Sequence, residues 1–235
     1  PERSFAAQAA QSPGGMRIAV TCSSPIPDVS VDPIAAGAVD EAAALLRELG
    51  HEVLEIDPPW PGRELQEAFG VMFCVLIALG IQQAAQLAGG REPVESDVEP
   101  MNWAIWQRCQ RIEGMRLEAA RAHMLTLARR LIAELERYDA VLTPALAERP
   151  LPLGSLPTDA PQPMSTFSRS GRFTPFTQIF NVTGQPAVSV PLLQGPDGLP
   201  LAVQLAGRPA QEGPLLALAA QLEQARPWAG RRPPL

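Results

Sequence analysis

Two histidines, three cysteines and no lysine set the catalytic vocabulary of this chain, since all 19 of its basic residues are arginine. Without lysine there is no Schiff-base former and no lysine general base. His51 lies between a helix-stopping glycine and a strand, so it reads as a solvent-facing turn residue. His123, inside an Arg-rich helix, reads as a solvated or helix-packing side chain. Two histidines far apart, with no local ligand spacing, predict no metal site.

Cys22 closes a strand and could act as a nucleophile at the carboxyl edge of a sheet, although a free cysteine is more often a small buried hydrophobe. Cys74 falls in the most apolar run and Cys109 in a helix with mixed faces. The three form neither a CxxC pair nor an even set, which predicts no disulfide framework and suits a reducing cytoplasm. Glu134 and Glu136 are two apart on a helix and point in different directions. Ser165, Ser168 and Ser170 crowd together in MSTFSRSGR, but no G-x-S-x-G elbow or S-x-x-K surrounds them, and the stretch reads as a linker. Neither G-x-G-x-x-G nor a P-loop occurs.

The elements that would position these groups are readable. At 235 residues with 46% apolar content the chain can bury a sizeable core, and its 26 prolines and 18 glycines are gathered largely in one stretch. A formal charge of −6 with no basic stripe argues against nucleic acid as a partner. The longest apolar run, Val71 to Ile81, reads as a buried core helix too short to cross a bilayer, and no secretion signal is legible.

Met16 to Cys22 reads as a first strand, Asp32-Pro33 as the start of a helix that Gly50 ends, and His51 to Ile56 as a second strand. Strand, helix, strand over about 16–57 is a βαβ unit with parallel strands. A helical layer follows over about 63–138, from Arg63 to about Ala88 and from Glu99 to Tyr138. Ala140 to Leu146 is a third strand. It leads into a Pro-rich loop from Ala147 to Met164. Ala187 to Leu192 and Leu201 to Ala206 flank the turn signal Gly195-Pro196-Asp197-Gly198 and are expected to pair antiparallel. A helix from Gly213 to Ala225 completes the closing strands and helix over about 140–228.

Three stretches together resemble the amidase-signature family. One is the closing region, with Pro175-Phe176-Thr177, then Phe180 to Pro191 (FNVTGQPAVSVP), then Gly198 to Trp228. Another is Tyr138 to Ala145 (YDAVLTPA). The third is the opening βαβ, with Val31-Asp32-Pro33 at one end of its helix and Leu49-Gly50-His51-Glu52-Val53 at the other. Glu99 to Trp103 (EPMNW) is similar to the branch containing 6-aminohexanoate cyclic dimer hydrolase. The resemblance spans nearly all of the chain and implies an α/β fold: a partial α/β/α sandwich, a mixed sheet with helices on both faces. Residues 1–235 would form the carboxyl-terminal portion of a single domain in a protein about twice as long.

The chemistry so implied is hydrolysis of carboxamide C–N bonds by a Ser nucleophile, a bridging cis-Ser and a Lys base, with no cofactor. That signature belongs upstream of the matched region. No catalytic residue is therefore assigned here, and whether the isolated chain is an enzyme stays open. What the resemblance implies for these residues is part of the sheet and the wall of a substrate pocket. The candidates for binding substrate are Phe73, Cys74, Trp103, Phe176 and Asn181, each with core packing as its competing role. The expected partners are an amide small molecule, the amino-terminal half of the same enzyme and further copies of the chain, with no membrane involved. Two other readings stay open. One is a catalytically inactive binding or dimerisation module, and the other a Cys22-dependent hydrolase.

Overall fold

The computed structural model describes residues 3–231. These residues fall into two compact units. Among the described residues, one holds residues 3–60, 129–150 and 174–231, the other Pro61–Ala128 and Leu151–Phe173.

The first unit is built on a five-stranded mixed sheet of order β2-β1-β3-β5-β4. Its strands are β1 (Arg17–Val20), β2 (Glu52–Glu55), β3 (Ala140–Pro144), β4 (Ala187–Gln194) and β5 (Pro200–Gly207). The expected βαβ unit is present: β1 and β2 pair in parallel, joined by α2 (Pro33–Glu48). The Asp32 carboxylate accepts from the Ile34 N–H at 2.8 Å and Pro33 supplies the first helical residue. β4 and β5 pair antiparallel as the turn signal predicts, and Gly198 takes φ 77°, a conformation that only a glycine holds without strain.

β1 pairs with β3 in parallel and β3 with β5 antiparallel, so the sheet changes sense at β3. One face buries Ile18, Val20, Leu142, Val203 and Leu205 against Val39, Ala42 and Leu46 of α2 and Leu215, Leu218 and Leu222 of α8 (Glu212–Ala225). Alternation sends Ala19, Val141, Thr143, Gln204 and Ala206 to the opposite face, where all are buried too. There Gln204 Nε2 donates to Thr143 Oγ1 at 3.2 Å, satisfying two polar groups that would be costly alone.

His51 departs from its expected role. It is only 5% exposed. Its Nδ1 accepts from the Met16 N–H at 3.2 Å, and its Nε2 lies 2.8 Å from Gln221 Oε1 on α8. The glycine before it turns the chain inward at the sheet edge, so the position looks like a turn in sequence yet is enclosed. Two short helices lie in stretches to which the sequence assigned no element: α1 (Phe5–Ala9) and α7 (Thr177–Thr183), the latter ended by Gly184 at φ 68°.

The second unit is helical. It contains α3 (Gly62–Leu87), α4 (Pro100–Cys109), most of α5 (Gly114–Leu135) and α6 (Pro163–Phe173). The helix expected over Glu99 to Tyr138 is broken between α4 and α5, where the Arg111 and Ile112 N–H groups bond to the Arg108 and Cys109 carbonyls in a tightened turn ahead of Gly114. α6 replaces the end of the expected loop, and the stretch read as a serine linker lies within it. The Pro-rich segment before it is tied down by Thr166 Oγ1 donating to the Pro157 carbonyl at 2.9 Å and by the Met101 N–H donating to the Thr158 carbonyl at 3.0 Å.

α3 has the length expected from Arg63 to about Ala88 but corrects the expectation that its apolar run is buried core. It runs 26 residues and buries Leu65, Ala68, Cys74 and Ala78, while Leu76 and Leu79 are 62% and 47% exposed. By length and composition it is the one helix among the described residues that could cross a bilayer.

Candidate functional site

The three helices α3, α4 and α6, with the turn that enters α5, enclose a cavity of about 740 Å³. Gln66, Glu67 and Cys74 reach it from α3, Arg108 from the last turn of α4, Arg111 from the turn and Arg116 from the first turn of α5. Apolar wall comes from Val71, Ile112, Met164 and Phe167. The local sequence explains the gathering. Cys74 is two turns on from Glu67 along α3, and the break after Cys109 folds Arg111 back beside the α4 terminus, so three arginines close in sequence share one opening.

Electrostatics at the cavity are one-sided: three arginines face one glutamate. None of the three forms an ion pair among the described residues. Gln66 Nε2 is buried without a hydrogen-bond partner. The Cys74 thiol is pushed above its ordinary range by burial, a tendency that Arg108 opposes.

Of the five candidates for binding substrate, Cys74 lines this cavity and is 2% exposed. Phe73 is its neighbour, 36% exposed, with its ring 5.4 Å from Phe69 and 5.7 Å from Phe167. Trp103 is half-buried on α4 and is not among the cavity's lining residues. Phe176 and Asn181 belong to the other unit. Phe176 caps the start of α7 and is 1% exposed, a core side chain of that unit, whereas Asn181 is exposed on α7. Sequence reasoning missed the arginines and Gln66. Their one signal was the spacing of Arg108, Arg111 and Arg116 across a glycine, masked by the acidic total.

The cysteine at the sheet's carboxyl edge sits in a second cavity, of about 550 Å³, with Asp40, Arg47 and Glu55. Burial, then the charges of Asp40 and Glu55, push the Cys22 thiol up to about 11. A thiol held protonated is a poor nucleophile. Elsewhere His123 Nε2 stands 3.6 Å from Glu64 Oε2, and Ser165 Oγ donates to the Gln162 carbonyl at 2.6 Å. Neither arrangement pairs a nucleophile with a base.

The Amidase family profile matches residues 1–216. The chain belongs to the amidase family. It is 37% identical over 234 residues to the protein AmiB2 of Mycobacterium tuberculosis, covering 99% of this chain and 48% of that one. It is 34% identical over 240 residues to the 6-aminohexanoate-cyclic-dimer hydrolase of Paenarthrobacter ureafaciens, with the same shares covered. A solved structure of 6-aminohexanoate cyclic dimer hydrolase complexed with substrate superposes with TM-score 0.90 at 33% identity, over 99% of this chain and 50% of that one. A bacterial aryl acylamidase of the amidase-signature family shares the fold, with TM-score 0.77 at 22% identity over 98% of this chain and 49% of that chain. The chain thus spans about half the length of the relatives it matches, and its α/β sheet is of the amidase-signature type.

Proposed function

We propose that these residues are the carboxyl-terminal portion of a single amidase-signature domain, part of an amidase that hydrolyses carboxamide C–N bonds, and that they contribute sheet and substrate-pocket wall. The observation that carries this reading is the match over 99% of this chain and 48% of the relatives, in a sequence with no lysine. The Ser, cis-Ser and Lys of the family's chemistry then belong to the amino-terminal half, which is the partner this reading requires. Cys74 and Phe73, at or beside the cavity, and Trp103, Phe176 and Asn181 are the pocket-wall residues it carries forward. The cytoplasm is its compartment, because Cys22, Cys74 and Cys109 are all free. It assigns no bilayer span to α3, whose first turns carry Arg63, Glu64 and Glu67.

Co-expression of this chain with an upstream segment that encodes a Gly/Ser-rich signature and a lysine tests the proposal. Carboxamide hydrolysis is expected from the pair and from neither part alone. Hydrolysis by the 235-residue chain alone would overturn it, as would a folded pair inert toward a panel of amides.

A further inference from the structure

The cavity of the helical unit is a donor-rich opening in an acidic protein. Its three arginines have no carboxylate partners among the described residues, and Gln66 Nε2 adds a buried N–H with nothing to donate to. Three guanidinium groups around the single carboxylate of Glu67 leave the cavity with net positive charge, an arrangement relieved by a bound anion. A bare inorganic anion would leave the wall of Val71, Ile112, Met164 and Phe167 unused. The volume of about 740 Å³ suits a small organic molecule.

From this we infer that the cavity is a binding site for an organic carboxylate with an apolar body, its carboxylate held by Arg108, Arg111 and Arg116 and its chain lying against Phe167 and Met164. The inference rests on the amidase reading for its biological sense. Hydrolysis of an amide breaks the C–N bond, water adds across it, and one product is a carboxylate, so the ligand class is a product acid or an amide substrate carrying a second, free carboxylate. Arginine matches a carboxylate through two parallel N–H···O bonds, which gives the site a preference for charge and shape together.

Gly70 supplies a way to close the site without disturbing the fold. It lines the cavity, and a Cβ built on it meets no atom within 4 Å. A side chain placed there enters open space, and leucine favours a helix over glycine.

The test is calorimetric titration of the 235-residue chain with hexanoate, its neutral isostere hexanamide, and inorganic phosphate. Hexanoate is expected to bind at least about tenfold more tightly than hexanamide, with phosphate failing to displace it. The triple variant R108Q/R111Q/R116Q should lose about tenfold or more for hexanoate and leave hexanamide unchanged. Gly70→Leu should weaken both while the thermal transition is retained. Each single Arg→Gln variant provides a milder series, since all three residues are exposed and exposed substitutions perturb folding little. Equal affinity for hexanoate and hexanamide, an unaffected triple variant, or displacement by phosphate would each overturn the inference. The first of these is also the outcome expected if the arginines serve instead to meet an acidic protein segment. Hexanoate has no amide bond, so the result is independent of whether any pairing of halves yields hydrolysis.

Discussion

His51 donates through Nε2 to Gln221 Oε1 at 2.8 Å, joining the start of β2 to α8 across 170 residues of sequence. The tautomer follows from the other ring nitrogen. Nδ1 accepts from the Met16 N–H, so it carries no proton and Nε2 does. Replacing either partner by leucine should cost roughly 1–3 kcal/mol, because a buried donor or acceptor is left unmet. In urea denaturation the double variant should show a coupling of at least about 0.5 kcal/mol. Simple additivity would mean that the bond contributes nothing.

Asp139 ties the same, amino-terminal end of the central strands. Its Oδ2 accepts from the Arg17 N–H at 2.8 Å, and its Oδ1 pairs with Arg208 at 3.1 Å. Asp139→Asn keeps an acceptor for Arg17 and loses only a partly exposed ion pair, worth about 0–1 kcal/mol. Asp139→Ala loses both and should cost about 1–3 kcal/mol. Equal denaturation midpoints for the two variants would refute this ordering.

Cys22 makes a prediction about pH. Its folded thiol is raised from 9.0 to about 11. The unfolded chain therefore loses the proton first, and as pH rises from about 9 to about 11 the native state binds more protons than the unfolded one. Stability falls with pH through that window and is unaffected by this group below it. Cys22→Ala should lack this part of the slope in melting temperature. At pH 8 alkylation of Cys22 should run roughly a hundredfold slower than that of an unperturbed thiol. Fast labelling, resolved by peptide mass, would contradict the burial argument.

On α3, Phe73, Leu76 and Leu79 form an exposed apolar strip. Such a surface promotes association. In sedimentation the chain alone should be oligomeric or poorly soluble, and Leu76→Gln with Leu79→Gln should shift it toward monomer. A monodisperse, monomeric parent chain would sink this expectation.

The sheet was legible because period-two alternation and turn chemistry agree there. Met16 to Cys22, Ala140 to Leu146 and the pair around Gly195-Pro196-Asp197-Gly198 all became strands. α6 and α7 were not, because prolines and serines before Phe167 mimic a linker, while Thr177–Thr183 is too short for a periodic pattern to emerge. His51 escaped notice for a different reason: local sequence shows Gly50 turning the chain, and only α8, far along the sequence, encloses the ring. The arginine cavity was invisible because its wall is drawn from α3, α4 and α6, whose meeting is a tertiary event.

β3, parallel to β1 on one side and antiparallel to β5 on the other, is where the sheet changes sense. It also fixes an order of assembly. Arg17 and Asp139, 122 positions apart, meet only after the chain between them has been looped out, an entropic penalty of roughly 4 kcal/mol by the logarithm of loop length. The β4–β5 hairpin closes over a four-residue turn at far smaller penalty. Amide protons of Val203 and Leu205 should accordingly gain protection in pulsed hydrogen exchange before those of Ala19 and Thr21, which face β3. On a ribosome the β4–β5 hairpin emerges after β3, so β3 must wait for the strand that covers its far side.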